Sequence, residues 1–160
     1  MQTINEDDVC SILGKKLNHE ELNMKLYIKA FTHKSSVKDH NDCNERLEFI
    51  GDAVLNMVAG HYLYEKYPDE NEGFLTRVRT KLVSNTNLSR LGKELGFDKF
   101  VIMNERAMSK GWNANPRILE DCFESFIGAL YLDKGFEFAR QWILSTLNVE
   151  DNEEETLKDT

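Results

Sequence analysis

The stretch from Asn44 to Leu55, NERLEFIGDAVL, decides the fold because it combines an apolar helical stripe with three carboxylates. Apolar residues continue to recur at helical spacing beyond it, which predicts an amphipathic helix over 44–66. On a helical wheel, Glu45, Glu48 and Asp52 fall within about 60° of one another at the edge of the apolar stripe. Like charges at this spacing repel one another, so something must compensate for them.

A second helical segment, predicted over 114–133, carries Asp121 and Glu124 within ILEDCFESFIGALYL (118–132). Its apolar residues cover about half of the circumference, so we expect the helix to be deeply packed. Asp121 and Glu124 share one face, and acids on a packed helix are costly unless they are paired or bind a metal. Gly128 interrupts the same helix at a cost of about 1 kcal/mol, which indicates that another element approaches closely there.

The two helices together predict a four-carboxylate site. If they pack against each other, the carboxylates that can face a common point are Glu48, Asp52, Asp121 and Glu124. Oxygen-only ligands suit Mg²⁺, Mn²⁺ or Ca²⁺ rather than zinc. The alternative is compensation by a neighbouring cation, for which the candidates are Arg46 and Arg79. A di-iron bundle would need Glu-x-x-His, which the chain lacks, and DENEG at 69–73 is one residue short of an EF-hand loop.

Length and patterning predict the domain organisation. The 160 residues are enough for one domain with a sizeable core, and helical periodicity dominates over strand alternation. We therefore expect a single all-α domain over 1–148, followed by an acidic, disordered tail over 149–160. The predicted helices cover 6–17, 20–31, 44–66, 73–84, 86–95, 114–133 and 136–147, with a short helix near 104–109. Neither a membrane-spanning segment nor a signal peptide is visible, so we expect an intracellular protein, cytoplasmic or nuclear, without a membrane partner.

Charge is segregated along the chain, although the net charge is −8. Residues 39–72 carry nine acids and two bases, a local charge of −7, whereas residues 74–117 carry nine bases and three acids, a local charge of +6. This pattern is compatible with a metal site beside a phosphate-binding surface, and equally with two solvated helix faces of opposite charge. The three cysteines are scattered without a C-x-x-C pair, so we expect reduced thiols and no zinc site.

Four motifs in register resemble the ribonuclease III family. NERLEFIGDAVL is similar to the nine-residue signature of that family, and AFTHKSS (30–36) resembles the segment before it. DENEGFLTRVRTKLVSNTNLSRLGKELG (69–96) resembles the acidic-glycine turn and the helices that follow it. ILEDCFESFIGALYLDKG (118–135) resembles the second acidic motif. The resemblance runs from about Ala30 to Trp142.

This resemblance implies an all-α endonuclease domain that cleaves double-stranded RNA into products with 5′-phosphate and 3′-hydroxyl ends. The cofactor it implies is Mg²⁺, with Mn²⁺ as a substitute, which activates a water for attack on phosphorus. It assigns the metal-ligand positions to Glu48, Asp52, Asp121 and Glu124. Glu45 and Glu72 match two further acidic positions, and we count them among the catalytic residues. The alternative is a non-catalytic homologue of the same fold that binds duplex RNA or serves as a ribosome-associated subunit.

Phe49 lies on the helical wheel opposite the core stripe and beside the acids. In the family that the sequence resembles, this position inserts into a pocket of the partner subunit. We therefore expect a symmetric homodimer with Phe49 at the contact and two sites that each cut one strand, giving staggered ends. The basic block supplies candidate contacts to duplex RNA: Arg77, Arg79, Lys81, Lys110 and Arg117, with Arg90 and Lys93 beside them.

The sequence departs from the common bacterial pattern in two ways. No double-stranded-RNA-binding domain follows within the 160 residues, and the loop 104–117, NERAMSKGWNANPR, lacks a Gly-Gly pattern. Either the sequence is part of a longer chain, or it is a minimal family member that binds RNA weakly and in a salt-sensitive manner. An accessory double-stranded-RNA-binding protein is a candidate partner. Trp112, in the same loop, is a candidate for RNA contact or for packing.

Overall fold

The computed structural model describes residues 3–14 and 21–147. The regular secondary structure of these residues is helical. In chain order they are α1 (Glu6–Leu13), α2 (Met24–Ala30), α3 (Glu45–Lys66), α4 (Glu72–Leu82), α5 (Asn85–Glu94), α6 (Glu105–Ser109), α7 (Pro116–Lys134) and α8 (Phe136–Leu147). Short 3₁₀ turns lie at Lys34–Ser36, His40–Asp42, Phe97–Lys99 and Trp112–Ala114. Within the described residues, extended pairing is limited to an isolated bridge between Thr32 and Ile102. The all-α prediction is confirmed, whereas the predicted tail over 149–160 lies outside the described residues.

The first helix is shorter than the pattern over 6–17 predicts. It ends at Leu13 because Gly14 adopts a left-handed conformation with φ of 67°, and its N–H donates back to the carbonyl of Ser11. A glycine in this conformation closes a helix without the steric penalty that other residues meet. Residues 15–20 lie outside the described residues.

The second helix begins later than the pattern over 20–31 predicts, at Met24. Its start is tied to the end of α7 through the carboxylate of Asp133. That carboxylate accepts a hydrogen bond from the backbone N–H of Asn23 at 3.2 Å and another from the hydroxyl of Tyr27 at 2.7 Å. The remaining helices agree with the sequence-based bounds to within two residues.

Helix α7 forms the centre of the core. Every residue from Cys122 to Leu130 is buried, so this helix is enclosed on almost all sides. Phe123 and Phe126 stack against Trp142 of α8, with ring centroids 5.7 and 5.1 Å from the indole. Among the described residues, the helices are too short or too polar to cross a lipid bilayer.

The position of the site follows from the crossing of α3 over α7. A Cβ atom built on Gly51 of α3 would overlap the backbone carbonyl of Glu124, and one built on Gly128 of α7 would overlap the backbone carbonyl of Leu47. The two glycines therefore let the helix backbones touch, because any larger residue would force them apart. The close approach expected at Gly128 is confirmed, and the helix that approaches is the acidic one.

Candidate active site

Three carboxylates from two helices converge at the crossing. Glu48 of α3 and Asp121 and Glu124 of α7 each offer an oxygen atom, and these atoms lie within 4.8 Å of one another. Glu124 is only 7 % exposed, whereas Glu48 and Asp121 are half-buried. Helix α7 is held from its first turn, since Asn115 caps it through the N–H of Arg117 and Pro116 occupies its first position. The backbone contact between α3 and α7 therefore brings carboxylates together that lie about seventy residues apart in sequence.

Asp52 joins this group at its rim. It is exposed, and its carboxylate accepts a hydrogen bond from the side-chain amide of Asn56 at 3.1 Å. It lines a cleft of about 390 Å³ together with Glu45, Glu48, Phe49 and Glu124. Its carboxylate is hydrogen-bonded to that of Glu124, so it reaches the cluster through this neighbour. The structure thus brings the predicted quartet together, as a close group of three with Asp52 beside it.

The crowded negative charge of the cluster favours the binding of protons or of a cation. Burial raises the pKa of Glu124 from 4.5 to about 9, with further contributions from its hydrogen bond and charge interaction with Asp52. Burial also raises the pKa of Glu48 from 4.5 to about 7, and the nearby charge of Asp121 adds to this effect. Both shifts have the same cause: charged carboxylates lose solvation and repel each other when they share a small volume. A divalent cation in the cleft would remove that penalty.

Among the described residues, the arginine that pairs with the carboxylate cluster, Arg117, lies at the rim of the cleft. Arg117 lies one turn before Asp121 on α7, with its Nε 3.4 Å from the carboxylate, but its side chain is 76 % exposed. The two arginines that the sequence offered for this role lie elsewhere. Arg46 lines a neighbouring groove, and the guanidinium of Arg79 packs over Gly60. One solvated arginine offsets only part of the negative charge of the cluster.

The two supporting acids have different positions. Glu45 lines the carboxylate cleft at its outer edge, where its carboxylate lies 3.9 Å from Nδ1 of His40. Glu72 is exposed in the first turn of α4 and is not among the residues that line the cleft. Within one chain, the structure therefore brings Glu45 to the site but does not bring Glu72 there.

Phe49 is 78 % exposed and stands between two concave surfaces. On one side is the carboxylate cleft. On the other is a groove of about 870 Å³ between α2, α3 and the end of α7, and Phe49 lines both of them. The wall of the groove is mainly apolar and includes Leu26, Leu47, Ile50 and the exposed Leu132. The outward orientation predicted for Phe49 is thus present, next to a groove that the sequence did not reveal.

The predicted RNA-contact residues lie on separate elements: α4, the segment between α6 and α7, and the first turn of α7. Arg77 and Lys81 are exposed on α4, and the guanidinium of Arg77 lies 6.0 Å from the ring centroid of Phe74. Arg79 is half-buried over α3, while Lys110 lies in the turn before α7. Of the neighbouring bases, Arg90 pairs with Glu94 at 2.8 Å and Lys93 pairs with Asp98 at 2.9 Å. The contacts of these residues with RNA remain predictions.

Sequence reasoning missed Glu120. This residue is half-buried beside Asp121, and its pKa is raised by burial and then by the charge of Asp121. The available signal was its position one helical turn before Glu124, which puts both carboxylates on the same side of α7. Glu120 increases the negative charge around the cluster and strengthens its preference for a cation.

Comparison with known proteins identifies the class of this fold. Residues 23–150 match the family model described as Ribonuclease-III-like. The nuclease domain of ribonuclease III from Campylobacter jejuni superimposes with a TM-score of 0.81 at 35 % identity, covering 90 % of this chain and 96 % of that one. Dicer from Pichia stipitis superimposes with a TM-score of 0.60 at 32 % identity, covering 81 % and 56 % of the two chains. The protein belongs to the ribonuclease III family.

Relatives found by sequence extend beyond this chain. A putative protein of Paramecium bursaria Chlorella virus 1 is 39 % identical over 142 residues, which are 89 % of this chain and 50 % of that protein. Ribonuclease 3 of Bacillus cytotoxicus is 44 % identical over 127 residues, covering 77 % and 52 % of the two chains. The chain thus spans about half the length of these curated relatives. None of the relatives named here points to an accessory RNA-binding protein, which stays a prediction.

Proposed function

We propose that the protein is a metal-dependent endonuclease that cleaves double-stranded RNA. The observation that carries the proposal is the convergence of Glu48, Asp121 and Glu124, with Asp52 at the rim of the cleft. Among the described residues, the cation that pairs with this group is the solvated Arg117. Three carboxylates held this closely, with a fourth beside them, serve no purpose in packing, because burial costs them solvation and they repel one another. Membership of the ribonuclease III family supports double-stranded RNA as the substrate class.

The donor set fits Mg²⁺, with Mn²⁺ as a substitute. All of the candidate ligands are carboxylate oxygens, which hard divalent cations prefer, and the cleft is open to water and to a phosphate group. The residues that would hold the ion are Glu48, Asp52, Asp121 and Glu124. An ion held there would supply Lewis-acid chemistry, by activating a water for attack on phosphorus and offsetting the charge on the departing 3′-oxygen. Products with 5′-phosphate and 3′-hydroxyl ends follow from that direction of attack.

The residues of the chain have separable tasks in this scheme. Glu124 is the most buried acid, so its position is the most fixed and it sets the depth of the site. Asp52 and Glu45 lie at the outer edge, where they can orient waters that the substrate does not displace. Arg117 reaches the rim with a solvated guanidinium that can bind the phosphate beside the scissile bond. Arg77, Arg79, Lys81 and Lys110 supply charge for the more distant phosphates.

A symmetric homodimer is the proposed assembly. Phe49 is an exposed aromatic residue, and the groove beside it on the same face has mainly apolar walls that could accept an aromatic ring. In an isologous dimer, Phe49 of the partner subunit would enter this groove while Phe49 of the first subunit enters the other. Two carboxylate clefts would then act on the two strands of one duplex and leave staggered ends. The region that carries Glu72 would complete the subunit contact.

The test is incubation of the protein with long duplex RNA in Mg²⁺ and, separately, in EDTA. We expect cleavage in Mg²⁺ and intact RNA in EDTA. A non-catalytic homologue that binds duplex RNA would retain the RNA in a complex without cutting it under either condition. That result would refute the proposed function, although the fold and the family would stand.

A further inference from the structure

Trp112 is an exposed aromatic on a well-supported turn. Its side chain is 48 % exposed, in the 3₁₀ turn that joins α6 to α7. The turn is fixed on both sides, since the N–H of Asn115 donates to the carbonyl of Trp112 at 3.0 Å and the side-chain amide of Asn113 donates to the carbonyl of Asp98 at 2.9 Å. The indole is therefore presented to solvent from a rigid support, a position that packing alone does not require.

A cation accompanies the ring. The ammonium of Lys110 lies 4.9 Å from the centroid of the indole, within the range of a cation–π contact. Lys110 differs in this respect from Lys93, whose ammonium pairs with the carboxylate of Asp98 at 2.9 Å. An aromatic face and an adjacent positive charge are the two components with which proteins hold single-stranded nucleic acid: the ring stacks on a base and the cation meets the phosphate.

The turn lies next to the carboxylate cleft along the chain. It leads directly into α7, where Arg117 lies within 3.4 Å of Asp121. At 1.5 Å rise per residue, Asp121 is about 8 Å along the helix axis from Pro116. An RNA strand that occupies the cleft and continues towards the N-terminal end of α7 would therefore pass the turn that carries Trp112.

We infer that Trp112 and Lys110 form a stacking platform for an unpaired nucleotide that flanks the duplex in the cleft. Bases inside an A-form duplex are stacked on each other, so they offer no free face to an indole, whereas an unpaired base does. The platform makes the enzyme prefer duplexes that carry a single-stranded extension. This inference rests on the proposed function for the identity of the substrate, and it adds a feature of that substrate.

Intrinsic fluorescence tests the stacking without requiring cleavage. The chain has two tryptophans, and Trp142 is buried, with its indole N–H donating to the carbonyl of Ile12 at 3.1 Å. Quenching by RNA therefore reports on Trp112. The protein in EDTA is titrated with a dye-labelled blunt duplex and with the same duplex bearing an unpaired 3′ extension, and dye anisotropy measures binding.

We expect the extended duplex to bind more tightly than the blunt one and to quench the fluorescence, whereas the blunt duplex does not quench it. In Trp112→Phe the quenching should disappear, and the fluorescence of Trp142 should remain. Equal affinity for the two RNAs, or binding of the extended duplex without quenching, overturns the inference.

Cleavage kinetics give the second readout. Trp112→Ala should lower kcat/KM for the extended duplex about tenfold, as loss of one base stack does, and should leave the blunt duplex unchanged. Trp112→Phe should retain most of the preference because it keeps a stacking face. Tyr64→Ala, which removes another exposed aromatic on α3, is the matched control and should leave both substrates unchanged.

If Trp112→Ala lowered kcat/KM equally for the blunt and the extended duplex, Trp112 would have a role in folding or in general RNA binding. That result would overturn the inference. Absence of any cleavage by the unmodified protein in Mg²⁺ would instead refute the proposed function, and the fluorescence titration would still decide the stacking.

Discussion

Gly51 lies against the backbone carbonyl of Glu124, with no room for a Cβ atom between the two helices. This contact sets the depth at which α7 crosses α3, and Glu124 carries the most buried carboxylate of the cleft. The geometry of the site therefore depends on a glycine that has no side chain to contribute to it.

Gly51→Ala should destabilise the fold and weaken cleavage together. The added methyl group has to displace backbone rather than a flexible side chain, and overpacking of this kind costs about 1–3 kcal/mol. Urea denaturation measures the loss in free energy of unfolding, and single-turnover cleavage measures the loss in rate. Gly60→Ala is the matched control on the same helix, because a Cβ there meets only the guanidinium of Arg79 at 3.5 Å. That control should be neutral or slightly stabilising, and equal losses in the two variants would contradict the role assigned to the crossing.

Glu124→Gln should abolish cleavage while it stabilises the metal-free protein. With a folded pKa of about 9 and an unfolded pKa near 4.5, Glu124 has to be kept protonated in the folded state at neutral pH, which costs stability. Glutamine is neutral without that cost, and its amide can still donate to Asp52. Thermal melts in EDTA and in Mg²⁺ should show a higher melting temperature for the variant without metal and a smaller increase on adding Mg²⁺. Glu94→Gln, on the exposed side of α5, is the control and should cut at the normal rate. Near-normal cleavage by Glu124→Gln would refute its assignment as a metal ligand.

Stability of the metal-free protein should depend on pH through the same two acids. In the unfolded chain Glu48 and Glu124 titrate near 4.5, whereas their folded pKa values are about 7 and about 9. The folded state therefore binds their protons more tightly than the unfolded state does. Their stabilising contribution is complete below pH 4.5 and is lost as the pH rises towards 9.

Urea denaturation across this pH range, in EDTA and in Mg²⁺, measures the effect. We expect Mg²⁺ to restore stability at the alkaline end, because the cation replaces the lost protons. Glu124→Gln should flatten the upper part of the profile. If the free energy of unfolding depends on pH in the same way in Glu124→Gln and in the unmodified protein, Glu124 is not the cause of that dependence.

Phe49→Ala should convert the proposed dimer into a monomer. Truncation of an aromatic anchor at the centre of an interface costs about 2 kcal/mol or more, which weakens association roughly thirtyfold. Sedimentation velocity over a range of protein concentrations gives the dissociation constant. Trp112→Ala also removes an exposed aromatic, but one outside the groove, so it should leave the association constant unchanged. A monomeric unmodified protein at micromolar concentration would remove the basis for this role of Phe49.

Local sequence signals predict the helices and the acids well, because helical periodicity and the spacing of charges are properties of short segments. The acids of α3 and α7 could be placed at the edges of their apolar stripes without knowing how the helices meet. Gly128 indicated a close approach, but its counterpart Gly51 was read only as part of a helix. The reciprocal contact of the two glycines is a property of the crossing and not of either segment.

The features that sequence missed depend on distant segments. The groove beside Phe49 is built from Leu26 of α2 and Leu132 of α7, more than a hundred residues apart, so no local pattern reports it. Arg117 was proposed to contact RNA, and its position beside Asp121 also makes it the nearest compensating cation, in place of Arg46 or Arg79. Which arginine reaches a buried acid is decided by packing, since several of them have the length to do so.

The division of the cleft between α3 and α7 also has a consequence during protein synthesis. Glu48 and Asp52 leave the ribosome about seventy residues before Asp121 and Glu124, an interval of roughly 4–15 s at ordinary translation rates. An incomplete chain carries one pair of acids without the other and lacks the central helix that buries them. The proposed nuclease site therefore stays incomplete, beside the messenger RNA that encodes it, until α7 has emerged as well.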